Sequence, residues 1–360
     1  MASDLTISVD AMGGDDAPAI VLEGVAISAE RHPGVRFLLY GDEGAVTPLL
    51  KRHPVLRERV DVRHTSEVVA MHDKPSQVLR RGRATSMWRA IESVKEGEAA
   101  SAISAGNTGA LMAMAKLQLR TVSGIDRPAI AAIWPTVRGE SIVLDVGANV
   151  ECDAKQLVDF ALLGEAFARV ALGLNAPTVG ILNIGEEEMK GHEEVREADR
   201  ILKKARIPLD YRGFMEGDDI GTGGADVLVT DGFSGNVALK TAEGTARLIS
   251  HYMSSAIKRS FFARLGYLFA IGAFRTLRNK LDPRRVNGGV FLGLNGVVVK
   301  SHGGTDGTGF AHALDLAVDM GRADYTGQIA ATIARFGSAI SAAVAGGGGL
   351  LADDSEAALT

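Results

Sequence analysis

Short apolar runs rich in valine, isoleucine and leucine recur along this chain. Each ends in a loop of glycine, aspartate or asparagine, after which apolar residues resume at helical spacing. The pattern holds at Leu5–Pro18 (LTISVDAMGGDDAP), Ala99–Met112 (AASAISAGNTGALM), Ser141–Asp153 (SIVLDVGANVECD), Thr178–Gly191 (TVGILNIGEEEMKG), Ala225–Lys240 (ADVLVTDGFSGNVALK) and Gly296–Phe310 (GVVVKSHGGTDGTGF), with a similar run at Val35–Glu43 (VRFLLYGDE). Continuous apolar strands alternating with helices predict parallel β-α units whose sheet is covered on both faces. The helices between them include PAIVLEGVAISAERH, KQLVDFALLGEAFARVAL and NVALKTAEGTARLISHYMSSAIKR. The expectation is one large α/β domain over residues 1–345, with the glycine-led, acidic stretch 346–360 as a flexible tail. Ligands of such sheets sit beyond the carboxyl ends of the strands. Because all six loops follow a strand, they are expected along one edge as a composite site.

Composition narrows the setting. The one cysteine, Cys152, excludes an intramolecular disulfide, and the first ten residues (MASDLTISVD) lack the basic and apolar regions of a secretory signal, so a cytoplasmic setting is expected. A net charge of −5 argues against a general nucleic-acid binder. Charge is uneven, however. Lys258–Arg285 holds eight basic residues and one acid around the uncharged stretch Leu265–Phe274, with Phe261, Phe262, Tyr267, Phe269 and Phe274 interleaved. That span is too short to cross a bilayer. Basic residues flanking apolar aromatics suit a segment lying in a membrane surface, with Phe262, Leu265 and Phe269 inserted. A helical hairpin at a dimer interface, with basic residues on its rim, fits the same pattern, and the two readings are compatible.

The loops carry the candidate chemistry. Gly106-Asn107-Thr108-Gly109 precedes a helix, whose N-terminal N–H groups suit an anion, although Asn107 or Thr108 acting only as a helix cap fits as well. Asp10, Gly13 and Gly14 lie at the first strand tip, and Asn149 in a similar loop after Asp145. Asn183, Lys190 and His192 share one loop, and Asp231, Ser234 and Asn236 surround two glycines at another strand-helix junction. His302 lies in a further glycine-rich loop. The G-x-G-x-x-G dinucleotide fingerprint, the G-K-[ST] of a P-loop, a zinc H-E-x-x-H and the G-x-S-x-G elbow are all missing. Cys152 has no histidine near it in sequence. The inventory is one of backbone donors, amides and cations, with no expected metal or cofactor. It suits a reaction in which one substrate, such as phosphate, supplies the nucleophile.

Six ordered motifs, DAMGGDDAP, SAGNTGALM, DVGAN, LNIGEEEMKG, DVLVTDGFSGNVALK and LGLNGVVVKSHGG, span most of the chain. In them the sequence resembles the bacterial phosphate acyltransferases, the fatty acid/phospholipid synthesis proteins. The resemblance implies an α/β/α sandwich with a mostly parallel sheet, similar to the phosphate acetyltransferases and to the isocitrate/isopropylmalate dehydrogenase group, and a dimer. It implies conversion of acyl-[acyl carrier protein] and inorganic phosphate to acyl phosphate and free carrier protein. It further implies peripheral membrane association and delivery of product to a membrane glycerol-3-phosphate acyltransferase. On this reading phosphate attacks the thioester directly, held by Gly106–Gly109 and Asn236. Lys190 neutralises charge or protonates the leaving sulfur, and His192 and Asp231 stand near the chemistry. Asp10, Gly13, Gly14, Asn149, Asn183 and Ser234 line the phosphate site. Two basic stretches compete as the dock of the acidic carrier, Arg80–Arg89 (RRGRATSMWR) and Lys258–Arg285, the first favoured for the carrier and the second for the membrane. An acyl-coenzyme A user, a decarboxylating NAD dehydrogenase on the related fold, and a non-catalytic carrier-binding scaffold at the membrane are the alternatives. The dehydrogenase lacks its nucleotide and metal signatures, and a scaffold needs no convergent anion loops.

Overall fold

The computed structural model describes residues 5–336 except 206, 208, 281, 283, 285, 286, 324 and 335; the expected tail over 346–360 lies outside the described residues. The strands are β1 (Leu5–Asp10), β2 (Val35–Gly41), β3 (Val60–His64), β4 (Ser101–Ser104), β5 (Ala129–Thr136), β6 (Gly139–Leu144), β7 (Thr178–Leu182), β8 (Asp210–Met215), β9 (Val227–Val229), β10 (Gly289–Leu292) and β11 (Val297–Lys300). The helices are α1 (Ala19–Arg31), α2 (Glu43–Leu50), α3 (Pro75–Arg81), α4 (Ser86–Lys95), α5 (Thr108–Leu119), α6 (Ala154–Ala171), α7 (Glu193–Lys204), α8 (Asp219–Thr222), α9 (Gly232–Lys258), α10 (Phe261–Phe269), α11 (Ile271–Lys280) and α12 (Gly307–Arg322).

All eleven strands join one sheet in the order β3-β2-β1-β4-β11-β10-β5-β6-β9-β7-β8. Strand residues alternate between two cores. Ile142, Leu144, Val227 and Val229 face the layer of α1, α6, α7 and α12, whereas Val143, Leu228, Phe291 and Val298 face α4, α5 and the start of α9. Both faces are therefore covered, and each fully buried aliphatic side chain contributes about 1.5–3 kcal/mol. This is the expected α/β/α sandwich with a mostly parallel sheet.

One expectation fails. The block β3-β2-β1-β4-β11 is parallel throughout, and so is β6-β9-β7-β8. Between them, β11–β10, β10–β5 and β5–β6 are antiparallel. Three reversals turn the second block against the first. The loops after β1, β4 and β11 thus leave one end of the sheet and those after β6, β7 and β9 leave the other. The six loops do not share an edge.

The basic aromatic segment forms the end of α9 together with α10 and α11. Its apolar side chains point outward: Phe262 is 82%, Leu265 43% and Phe269 87% exposed. No helix among the described residues is long and apolar enough to cross a membrane.

Candidate active site

The first set of loops is tightly wired. At the tip of β1, Asp10 is buried; its Oδ2 accepts the Ser104 hydroxyl at 2.6 Å and its Oδ1 the Met12 N–H at 3.2 Å. Burial pushes its carboxyl above the ordinary range. Ser104 in turn accepts the Gly106 N–H at 3.0 Å. Gly13 lies over this knot. A Cβ there would stand 2.6 Å from Asp10 Oδ2, 2.7 Å from Gly106 N and 2.8 Å from Ser104 Oγ, so only glycine lets the chains approach. Gly14 sits against Ala105 and the Gly303 carbonyl.

Asn107 caps α5, its Oδ1 accepting the Ala110 N–H at 2.9 Å, and its amide donates to the carbonyls of Met71 (2.7 Å) and Asp73 (3.1 Å). Its side chain is thereby used in holding the turn. The anion donors left in this loop are the main-chain N–H groups of the first turn of α5, where Thr108 and Gly109 stand. The loop at 71–73 leads into α3, which packs along α5.

Next to Ser104 in register is Lys300, the last residue of β11. Its ammonium donates to the Ala105 carbonyl at 3.4 Å and to the Ser301 carbonyl. Burial, with Lys240 adding to it, lowers its pKa to about 8. His302 follows. Its Nδ1 accepts the Gly304 N–H at 3.2 Å, and its Nε2 is 2.9 Å from Lys240 Nζ. Burial and the same lysine hold its pKa below the usual histidine value.

Lys240 belongs to α9, which starts at the other set of loops. Asp231 caps that helix, accepting the Ser234 N–H (2.8 Å) and hydroxyl (2.9 Å). Asn236 donates to the Val146 carbonyl at 3.1 Å, and it packs on Gly147, whose φ of +135° and lack of a Cβ allow the contact. Behind this, buried Asp145 accepts N–H groups of Ile130, Gly147, Ala148 and Asn149 and the Asn149 amide, at 2.7–3.1 Å. Asn149 is thus part of the scaffold, with its amide shared between Asp145 and the Pro128 carbonyl and its buried Oδ1 without a partner. Four residues separate Asn236 from Lys240, one helical turn and about 6 Å of rise. That single turn carries the second set of loops to the first. The Lys240–His302 contact is the link between them.

The third loop of the second set is bonded within itself. Asn183 ties the carbonyls of Gly185 and Lys190 to itself, Lys190 pairs with Glu187 at 3.1 Å, and exposed His192 precedes α7 without a side-chain cap bond. β7 lies beside β9, so this loop begins next to the start of α9, but these bonds close on the loop itself. Of the sequence candidates, the structure joins Asp10, Gly13, Gly14 and Gly106–Gly109, and by way of α9 adds Asp231, Ser234, Asn236 and the scaffold residue Asn149. It does not join Lys190, His192 or Asn183 to them. Sequence reasoning passed over Ser104, Lys240 and Lys300. A lysine closing a buried apolar strand (VVVK) was the available signal.

Nothing in this cleft acts as an obvious covalent nucleophile. Cys152 is pushed up to about 12 by burial and the nearby Asp145 and Asp231, so it remains a thiol. Ser234 hydrogen-bonds the carboxylate that caps its own helix. What remains is an arrangement of cations and main-chain donors suited to binding and positioning an anion.

The fold is that of the phosphotransacylases. A phosphotransacetylase from Streptococcus pyogenes superposes with a TM-score of 0.60 at 17% identity, covering 89% of this chain and 95% of that one. A branched-chain phosphotransacylase from Enterococcus faecalis V583 gives 0.57 at 14% identity, covering 88% and 99%. Residues 5–328 match the family of fatty acid synthesis proteins. The phosphate acyltransferase of Xanthobacter autotrophicus is 61% identical over 91% of this chain and 93% of its own, and that of Agrobacterium fabrum 59% identical over 90% and 93%. This chain belongs to the phosphate acyltransferase family of fatty acid synthesis proteins and is an enzyme of the transferase class.

Proposed function

We propose that this enzyme transfers the acyl group of acyl-[acyl carrier protein] to inorganic phosphate, releasing the carrier and making acyl phosphate for phosphatidic acid synthesis at the membrane. A phosphate oxygen attacks the thioester carbonyl, the C–S bond breaks, and the departing thiolate takes a proton from solvent or a nearby acid. The observation that supports this reading is a set of groups: the α5 start, with its main-chain donors, stands beside Lys300 and the Lys240–His302 pair, and Asn236 lies one turn before Lys240 on the same helix. A thiol of pKa near ~8.5 leaves with little acid help. Positioning and oxyanion stabilisation therefore dominate the rate. The basic stretch Arg80–Arg89, which starts at the end of α3, is the surface proposed to meet an acidic carrier. In this scheme Lys190 reaches the leaving sulfur only by releasing Glu187.

The direct test supplies long-chain acyl-[acyl carrier protein] with and without inorganic phosphate and traps acyl phosphate with hydroxylamine. Product that forms only with phosphate, together with free carrier thiol, is expected; hydrolysis independent of phosphate refutes the reading. Asn236→Ala is expected to lower the rate about 10²–10³-fold, the size of a lost oxyanion donor. Near-wild-type rates in both Asn236→Ala and Lys190→Ala would remove these two role assignments.

The α10–α11 hairpin is proposed to lie in the membrane surface. Phe261, Phe262, Leu268 and Phe269 are each more than 60% exposed, beside Arg259 and Arg264. Such an apolar, basic element gains from acyl-chain burial and anionic headgroups together. Wild-type protein is expected to float with vesicles containing anionic lipid, and the Leu265→Glu/Phe269→Glu variant to stay in the dense fraction. Undiminished flotation of the variant excludes the hairpin as the anchor.

A further inference from the structure

We propose that Lys240, Lys300 and His302 form the seat of the inorganic phosphate dianion. This rests on the phosphate-acceptor reading above and names the residues that serve it.

Three basic groups converge from two elements, α9 and the end of β11 with its loop. Lys240 Nζ touches His302 Nε2 at 2.9 Å. Lys300, partly buried, spends two N–H bonds on the Ala105 and Ser301 carbonyls, leaving a third. Three acids stand nearby. Glu243 is shared between Lys240 (3.0 Å) and Arg247 (3.8 Å), Asp10 is taken up by Ser104 and Met12, and exposed Asp15 lies against the His302 turn, its Oδ2 3.3 Å from where a Cβ on Gly304 would stand.

The histidine sets how these groups meet. Its Nδ1 accepts from Gly304, so a neutral ring carries its proton on Nε2. That N–H then points at an ammonium, hydrogen against hydrogen. A doubly charged acceptor entering between them takes both donors and relieves the repulsion of two lysines and a histidine. The neighbouring surface is made for close approach: Gly303 and Gly304 on one side, and the α5 N-terminus beside Ser104 on the other. Asn236 stands one turn before Lys240 on α9, its amide on the Val146 carbonyl. A buried lysine is costly to a fold and is retained where its charge is used.

The test measures KM for inorganic phosphate and, separately, for acyl-[acyl carrier protein] in Lys240→Met, Lys300→Met and His302→Gln. Lys240 is exposed, so its variant folds whatever becomes of Lys300. Each lysine variant is expected to raise the phosphate KM about 10–100-fold, the size of a lost charge-assisted hydrogen bond, with little change in the carrier KM. The protective effect of added inorganic phosphate on thermal unfolding should fall in parallel. In wild type, kcat/KM for phosphate should decline above about pH 8 as Lys300 loses its proton; Asp10, Asp15, Lys240, Glu243 and His302 are the charged groups around it. Lys300→Met should lose that limb. An unchanged phosphate KM in Lys240→Met and Lys300→Met overturns the proposal. So does a rise confined to the carrier KM, which would place the carrier's phosphodiester arm here. Wild-type enzyme that makes no acyl phosphate refutes the underlying reading instead.

Discussion

Gly13→Ala is expected to cost about 100-fold in the rate of acyl phosphate formation while lowering the melting temperature by only a few degrees. The added methyl group meets Asp10 Oδ2, Gly106 N and Ser104 Oγ at 2.6–2.8 Å. None of these is the free end of a long side chain. Asp10 and Ser104 are buried and bonded to each other, and Gly106 N is main chain. The strain must therefore pass into the loop that starts α5. Overpacking of this kind costs about 1–3 kcal/mol, which a protein of this size absorbs. The chemistry does not absorb it, because a shift near 1 Å in groups that position a reactant costs about 10²-fold. Steady-state rates and thermal melts on the same preparation check both halves. A rate within threefold of wild type would show that the β1–β4 knot lies outside the site.

The largest stability effect is expected at Asp145→Ala, a loss of about 3–5 kcal/mol. The carboxylate is fully buried and accepts five hydrogen bonds, four of them from main-chain N–H groups of Ile130 and residues 147–149. Alanine leaves those donors buried and unpaired, each at a cost of about 1–3 kcal/mol before relaxation. The loss is smaller for Asp145→Asn, whose remaining oxygen still serves three N–H groups while its amide opposes Asn149. Urea midpoints should rank wild type, Asn and Ala in that order. Because the loop it organises carries Gly147, on which Asn236 packs, activity should fall along the same series. Equal midpoints for wild type and Ala would mean that the loop is held by other contacts.

Much of this molecule was legible in its pattern. The runs at Leu5, Ala99, Ser141, Thr178, Ala225 and Gly296 all contain strands, because buried parallel strands are continuous apolar stretches. One helix start was legible through its cap, Asn107. Strand direction was not. AIAAIWPT and SIVL pair antiparallel, yet both are buried on two faces and carry no alternation to betray it. The turn between them, with Gly139 at φ +136°, was the one local sign. That reversal undid the single-edge site. Lys300 and Lys240 escaped notice because a lysine in an apolar run looks like a strand or helix end. Only the register Lys300–Ser104 and the contact Lys240–His302 give them a purpose.

One helix also fixes a length. From Lys240 to Lys258, where the exposed hairpin begins, α9 rises about 27 Å. On the proposed function, with the hairpin pressed to a bilayer and α9 standing off it, Lys240 would be held above the lipid by a rigid strut. Acyl phosphate released at that height would then have to cross the gap or be handed over to an enzyme reaching up from the membrane.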